Sequence, residues 1–423
     1  MGDTIYALAT APGRAGVAVV RISGPAAWRV GEEVAGRLPA PRCSALRILR
    51  DSAGDRIDEA LVLAFEEGAS YTGERIVELQ VHGSVAVIKS LLGELGRAGL
   101  RLAEPGEFTK RALLNGRMSL SQVEGLGDLI MAETEAQRRQ ANNLLEGRLS
   151  ERVELWRSSL TRAMALLTVT IDFADEDVPE SVAPEVVALL EEVEGELERE
   201  IAGSRAAERV RDGFEVAIIG RPNAGKSTLL NYLAGRPAAL TSAVAGTTRD
   251  VIEVRMDVGG LPVTLLDTAG LREAEDPIER MGVDLAVSRA LAADLRVFIE
   301  DAGSEAPHWL GPRDIVIRGK ADKLGADGIS GTTGNGVDRL VRSIEERLGE
   351  AATTSAVAVN ERHRQALSAA VVALRAAETE IGHKPEVAAE EIRRAATALE
   401  RLVGRVDVED VLDDVFARFC LGK

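Results

Sequence analysis

The stretch Gly220-Arg221-Pro222-Asn223-Ala224-Gly225-Lys226-Ser227 follows the apolar run Phe214–Ile219 and precedes the helix-like Thr228-Leu229-Leu230-Asn231-Tyr232-Leu233. A GxxxxGK[ST] segment between strand and helix is a phosphate-binding loop. Its glycines let backbone N–H groups close on phosphates, and the helix N-terminus behind it adds partial positive charge. Lys226 is placed to reach the outer phosphates and Ser227 to hold magnesium, with Asn223, Ala224, Gly225 and Thr228 completing the nucleotide cradle.

Such a loop demands a parallel sheet around it, and the downstream chain supplies one. Val263–Asp267, Leu295–Ile299 and Asp314–Ile317 read as buried strands separated by helix-length spans. That is the alternation of a doubly wound, mostly parallel sheet, whose ligands sit at the carboxyl ends of its strands. Asp267-Thr268-Ala269-Gly270 closes one strand, so Asp267 can hold magnesium and the Gly270 N–H can sense a γ-phosphate. Ala245-Gly246-Thr247-Thr248-Arg249-Asp250 lies between, where a switch segment would bring Thr248 to the same metal. Three motifs in this order read as a GTPase.

Two positions depart from the usual GTPase spelling. Guanine is read by Asn-Lys-x-Asp, and here the segment is Gly319-Lys320-Ala321-Asp322. Asp322 can accept from guanine N1 and the exocyclic amine and Lys320 can pack over the ring, but Gly319 offers no amide. Ser330-Gly331-Thr332 stands where Ser-Ala-Lys would help seat the base. The expectation is weakened guanine affinity rather than a switch to adenine. Leu271 occupies the place of the glutamine that orients the attacking water in Ras-like enzymes, so the role passes to another residue. Glu279 is the candidate, against the plainer reading of a surface helix residue beside Arg280.

At 423 residues the chain has room for two or three domains, and with 3% aromatics their cores must be aliphatic. A net charge of -17 argues against the broad basic face of a protein that holds nucleic acid alone. Cys43 and Cys420 cannot form a disulfide framework and fit a reducing cytoplasm. No apolar run approaches the ~18 residues of a membrane span, and Asp3 without a basic start speaks against a signal peptide.

Residues 1–117 alternate short apolar runs with Gly/Pro turns, the pattern of an α+β domain. Val17–Ile22 and Ile76–His82 read as strands, with Val77, Leu79 and Val81 on the core face of the second. Arg21 shares a face with Val17 and Val19, costly unless the strand end is exposed or an anion meets it. Residues 118–210 turn helical: Pro184 starts a helix with a stripe at Val186, Leu190, Val193, Leu197 and Ile201. Its glutamates at 191, 192, 194, 196, 198 and 200 read as the solvated face. Residues 351–423 return to this style, with Ile392, Ala396, Leu399 and Val403 on one face and Val408, Val411, Leu412, Val415 and Phe419 on another. The nucleotide domain, 211–350, therefore reads as an insertion into a helical domain made of two segments.

Several stretches together resemble the bacterial tRNA-modifying GTPase family known as MnmE or TrmE, over nearly the whole chain. They are Gly13-Arg14-Ala15-Gly16-Val17 with Arg21-Ile22-Ser23-Gly24, Tyr71-Thr72-Gly73-Glu74 with Glu78-Leu79-Gln80, and Pro105-Gly106-Glu107-Phe108-Thr109 with Arg111-Ala112. Asn360-Glu361-Arg362-His363-Arg364 and the terminal Phe419-Cys420-Leu421-Gly422-Lys423 continue the match. The terminal Cys-x-Gly-Lys and the Gly-Thr-Thr-Arg-Asp switch are its most specific parts.

The resemblance implies an N-terminal α+β domain that dimerises and binds folate, a helical domain, and an inserted Ras-like GTPase domain. It implies a homodimer that works with an FAD-dependent partner, MnmG, to add an aminomethyl or carboxymethylaminomethyl group at C5 of the wobble uridine of certain tRNAs. A 5-formyl- or methylene-tetrahydrofolate would supply the one-carbon unit, and the partner could carry much of the tRNA contact. Carried over by position, folate falls on Arg21, Glu78, Arg117 and Lys423, with Arg117 where a lysine is familiar. Magnesium falls on Ser227 and Thr248. Potassium, standing in for an arginine finger, falls on Asn223, Ser242, Val244 and Thr247. Glu279 matches the family's catalytic glutamate, Arg272 follows the Asp-x-x-Gly tetrad, and Lys226 completes the catalytic set. Cys420 is either a reactive thiol lowered by Lys423 or structural. A rival reading is a regulatory switch or scaffold with weakened guanine specificity.

Overall fold

The computed structural model describes residues 3–172, 182–240, 253–267, 288–301, 305–324, 328–352, 356–406, 415–416 and 422. The chain divides into two compact units, Met1–Gly127 with Glu400–Lys423, and Asp128–Leu399.

In the first unit, β1 (Ile5–Leu8), β2 (Ala15–Ser23), β3 (Ser44–Arg50), β4 (Arg56–Phe65), β5 (Ile76–Gly83) and β6 (Arg101–Leu102) form one sheet in the order β3-β4-β5-β2-β1-β6. Its pairings are antiparallel except β1 with β6. Period-two alternation sorts its faces. Val20 pairs with Leu79 and Ile22 with Val77, all buried in the core with residues of α1 (Ala27–Ala35) and α2 (Val85–Arg97). Arg21 pairs with Glu78 on the opposite face, where Val17, Leu46, Ile48 and Leu61 are exposed. Helices α3 (Glu107–Leu114) and α4 (Leu120–Met131) follow. The last part of the chain returns to this unit. Phe416 packs with Val123, and a Cβ on Gly422 would run into the main chain at Leu8 and Ala9.

In the second unit, α5 (Glu135–Leu145), α6 (Arg148–Asp172) and α7 (Ala183–Asp212) precede the nucleotide domain. Thr134 and Gln137 form a capping box at the start of α5. Helix α7 begins at Ala183, with the expected Pro184 in its first turn, and buries Val186, Leu190, Val193 and Leu197. Its buried stripe then continues through Glu200, Ser204, Ala207 and Val210, leaving Ile201 only partly buried. The solvated-face reading fails at Glu200, which is 2% exposed, because alternating steps of four and three from Val186 arrive there. Its carboxylate pairs with Arg152 and accepts the N–H groups of Val357 (2.9 Å) and Ala358 (3.2 Å).

The nucleotide domain contains β7 (Phe214–Gly220), α8 (Lys226–Ala234), β8 (Glu253–Val258), β9 (Leu261–Asp267), β10 (Leu295–Glu300), β11 (Ile315–Arg318), α9 (Ala321–Leu324) and α10 (Val337–Ala352). Its five strands run β11-β10-β7-β9-β8, parallel except for β8 against β9. The three strands expected after the phosphate loop are β9, β10 and β11. Helices α11 (Glu361–Glu380) and α12 (Pro385–Val403) follow. On α12, Ile392, Leu399 and Val403 are buried as expected, while Ala395 rather than the half-buried Ala396 completes the stripe. Val408, Val411, Leu412 and Phe419 lie outside the described residues. Among the described residues no helix is long and apolar enough to cross a membrane.

Candidate functional site

Central strand β7 delivers the phosphate loop at its carboxyl end, between the ends of β9 and β10. The loop turns through positive φ at Gly220 (154°), Asn223 (63°) and Gly225 (104°), a path that points successive N–H groups inward. Gly225 caps α8 without any side-chain hydrogen bond, leaving the first N–H groups of the helix to a ligand. Lys226 is 6% exposed, and its Nζ donates to the carbonyls of Gly220 (2.9 Å) and Arg221 (3.0 Å) across the loop. Burial pushes its pKa below the ordinary lysine value, partly opposed by the Asp267 carboxylate.

Ser227 Oγ donates to Asp267 Oδ2 at 2.8 Å. Asp267 is 6% exposed, and its Oδ1 is buried with no hydrogen-bond partner among the described residues. An orphaned carboxylate oxygen beside a hydroxyl and a phosphate loop suits a hard, oxygen-seeking cation, so these residues fit magnesium. The base-reading segment follows β11: Gly319 is buried, Asp322 is exposed, and Lys320 Nζ pairs with Asp301 Oδ2 at 2.7 Å. Asp301 was not foreseen; it follows β10, one of the strand ends where such a fold puts its ligands.

A second constellation lies in the first unit. Arg21 Nε donates to Glu78 Oε1 at 2.8 Å, which answers the cost of a guanidinium on that face. The Arg21 guanidinium also stands 5.0 Å from the Tyr71 ring centre and 5.5 Å from that of Phe108. The Tyr71 hydroxyl is hydrogen-bonded to Thr109 Oγ1 at 2.7 Å. Burial is the main cause raising its pKa, against that bond and the Arg21 charge. Arg117 is exposed, and its stem runs over Gly73 in the turn that carries Tyr71. A guanidinium, a carboxylate and a ring in one cluster suit a flat heteroaromatic ligand, and these residues fit a pterin. Tyr71 and Phe108 entered the sequence reading only as parts of matching stretches. The signal that could have promoted them is their rarity in a chain with three tyrosines and seven phenylalanines.

Of the remaining candidates, Ser242, Val244, Thr247, Thr248, Gly270, Arg272, Glu279, Cys420 and Lys423 lie outside the described residues. Asn223, Ala224, Gly225, Lys226, Ser227, Thr228 and Asp267 fall in one site, with Lys320 and Asp322 in the segment after β11.

Comparison with known proteins places this geometry in a lineage. A family model described as "MnmE helical domain" matches residues 120–420, and one described as "GTP-binding protein TrmE N-terminus" matches residues 4–117. The chain belongs to the MnmE family. The protein named tRNA modification GTPase MnmE from Dinoroseobacter shibae is 57% identical over 429 residues, and that from Ruegeria pomeroyi 58% over 427, each covering 100% of both chains. Among solved structures, Aquifex aeolicus Era is 28% identical over 38% of this chain and 66% of its own, with a TM-score of 0.27. An MnmE-family chain with this phosphate loop is a GTP hydrolase by class, built as an N-terminal TrmE domain, a helical domain and a Ras-like GTPase domain.

Proposed function

We propose that the chain is a potassium-stimulated GTPase whose cycle drives modification of tRNA wobble uridine at C5. In this reading it is a cytoplasmic homodimer working with an MnmG-like FAD-dependent partner, and installs an aminomethyl or carboxymethylaminomethyl group using a tetrahydrofolate one-carbon unit. Residues 1–117 bind folate and dimerise, 118–210 and 351–423 form the helical domain, and 211–350 hydrolyse GTP. The observation that carries the nucleotide half is the Ser227–Asp267 pair beside Lys226, with a buried Oδ1 that has no partner among the described residues.

Lys226 exchanges its two carbonyl partners for the outer phosphate oxygens and neutralises the charge that builds on the leaving phosphate. Loop and helix N–H groups hold the phosphates in line. Ser227 and Thr248 would hold magnesium, with Asp267 behind them; Asn223, Ser242, Val244 and Thr247 would hold potassium. Bound there, magnesium would neutralise charge on the phosphates, and potassium would supply the positive charge that an arginine finger provides in related enzymes. Glu279 orients the attacking water, and Arg272 lies in the same switch segment. Arg21, Glu78, Arg117 and Lys423 hold the folate, with Tyr71 against the ring. The apolar exposure at Leu46, Ile48 and Leu61 supports dimerisation through the sheet face.

The test is steady-state hydrolysis of GTP and ATP in potassium and in sodium, with Glu279→Ala as control. GTP-selective turnover in potassium, lost in sodium and in the variant, is expected. Equal slow turnover of both nucleotides in either salt would refute the mechanism and favour the regulatory-scaffold alternative, which the bare Gly319 supports.

A further inference from the structure

The segments on the base side of the phosphate site meet the phosphate loop backbone to backbone, and glycines stand at the points of contact. The Gly319 N–H donates to Glu300 O at 2.9 Å. A Cβ at 319 would lie 2.6 Å from the Ala224 carbonyl oxygen and 2.7 Å from Ile299 Cγ2. Ala224 and Ile299 are each 1% exposed, so neither has open space to retreat into. On the other side, a Cβ at Gly331 would lie 2.5 Å from Leu229 N and 2.6 Å from Thr228 C, in the first turn of α8. Neither glycine has positive φ, so each is needed for room rather than for torsional freedom.

The loop behind Gly331 is pinned. Ile329 N–H donates to Arg318 O (2.7 Å) and Ala321 N–H to Ile329 O (3.0 Å), which ties the two base-side segments together. Ser330 donates its N–H to Asn335 O at 2.9 Å, and its Oγ accepts from the N–H groups of Thr332 and Thr333, both at 3.3 Å. A side chain at 319 or 331 therefore cannot be absorbed by the base-side segments alone, and the phosphate loop must give as well.

We propose that Gly319 and Gly331 are positioning residues for the phosphate loop: bare main chain at these two points sets the seat of Ala224–Leu229, and base recognition is left to Asp322. This rests on the nucleotide-binding reading above. It changes what Gly319 means, because an asparagine restored there meets the Ala224 carbonyl before its amide meets a base.

The experiment is fluorescence titration of N-methylanthraniloyl-GDP and -GTP into full-length wild type, Gly319→Ala, Gly319→Asn and Gly331→Ala, at a temperature where thermal melting shows each folded. Both alanine variants should bind about tenfold more weakly, and Gly319→Asn at least as weakly as Gly319→Ala despite its amide. Tighter binding by Gly319→Asn, or alanine variants within twofold of wild type, would overturn the proposal. A lower apo melting point with unchanged affinity, the mark of a merely structural glycine, would do the same. If either 319 variant fails to fold, Gly331→Ala decides by the same criterion. Wild type that binds no guanine nucleotide would instead remove the nucleotide-binding reading, and this inference with it.

Discussion

Replacing Asp267 by asparagine separates the two jobs a buried carboxylate can have. One of its oxygens is satisfied by Ser227 at 2.8 Å and the other is buried and has no partner among the described residues. An orphaned polar atom costs roughly 1–3 kcal/mol, so the folded protein holds Asp267 at a loss. Asparagine keeps the shape and can keep an acceptor toward Ser227, so apo stability should change by less than about 1 kcal/mol. Magnesium binding should change far more. Removing a carboxylate that supports a metal ligand typically costs about 10–100-fold in affinity, which is about 1.4–2.7 kcal/mol. With GDP saturating and magnesium in excess, that amount disappears from the ligand-linked stabilisation, and it is read as a displaced magnesium midpoint in thermal-shift titrations. A magnesium midpoint within twofold of wild type would refute the metal role. An apo loss above about 3 kcal/mol would show that the carboxylate is kept for the fold.

Burial depresses the Lys226 pKa below its ordinary 10.5. Between its folded value and 10.5 the unfolded state binds more protons, so the group adds stability as pH rises through that window. Nucleotide phosphate should reverse the shift: GDP binding within that alkaline window should take up protons, measured by calorimetry across pH in buffers of different ionisation heat, and zero uptake throughout the window would contradict the assignment. Glu200→Ala leaves the Val357 and Ala358 N–H groups without their carboxylate acceptor and strands Arg152, itself 32% exposed, so the loss should sit near the lower end of the ~3–5 kcal/mol for breaking a buried pair. An unmoved urea midpoint would refute it.

What could be read from the sequence was whatever a short stretch of chain specifies by itself. The phosphate loop was legible because its chemistry needs fixed residue types at fixed spacing; β5 was legible because period-two alternation is local, and β7, β9, β10 and β11 as apolar runs between helix-length spans, whereas β1, β3, β4, β6 and β8 carry no such signal strong enough to single them out. Glu200 was not, because its environment is set by residues 152, 357 and 358, far along the chain, and a glutamate within an acidic run looks solvated whichever way the helix turns. The pairing of Arg21 with Glu78 was half legible: the misplaced charge could be seen on its strand, but the register that brings the answering carboxylate opposite it could not. Gly319 shows the limit most clearly. Along the chain a glycine in a motif slot is an absence, a side chain that is not there to read a base. In three dimensions the same glycine is a contact, because its missing Cβ is the space the Ala224 carbonyl comes within 2.6 Å of filling. Motif comparison counts what a residue can donate or accept. Packing decides what the neighbours can tolerate, and at 319 the two point in opposite directions.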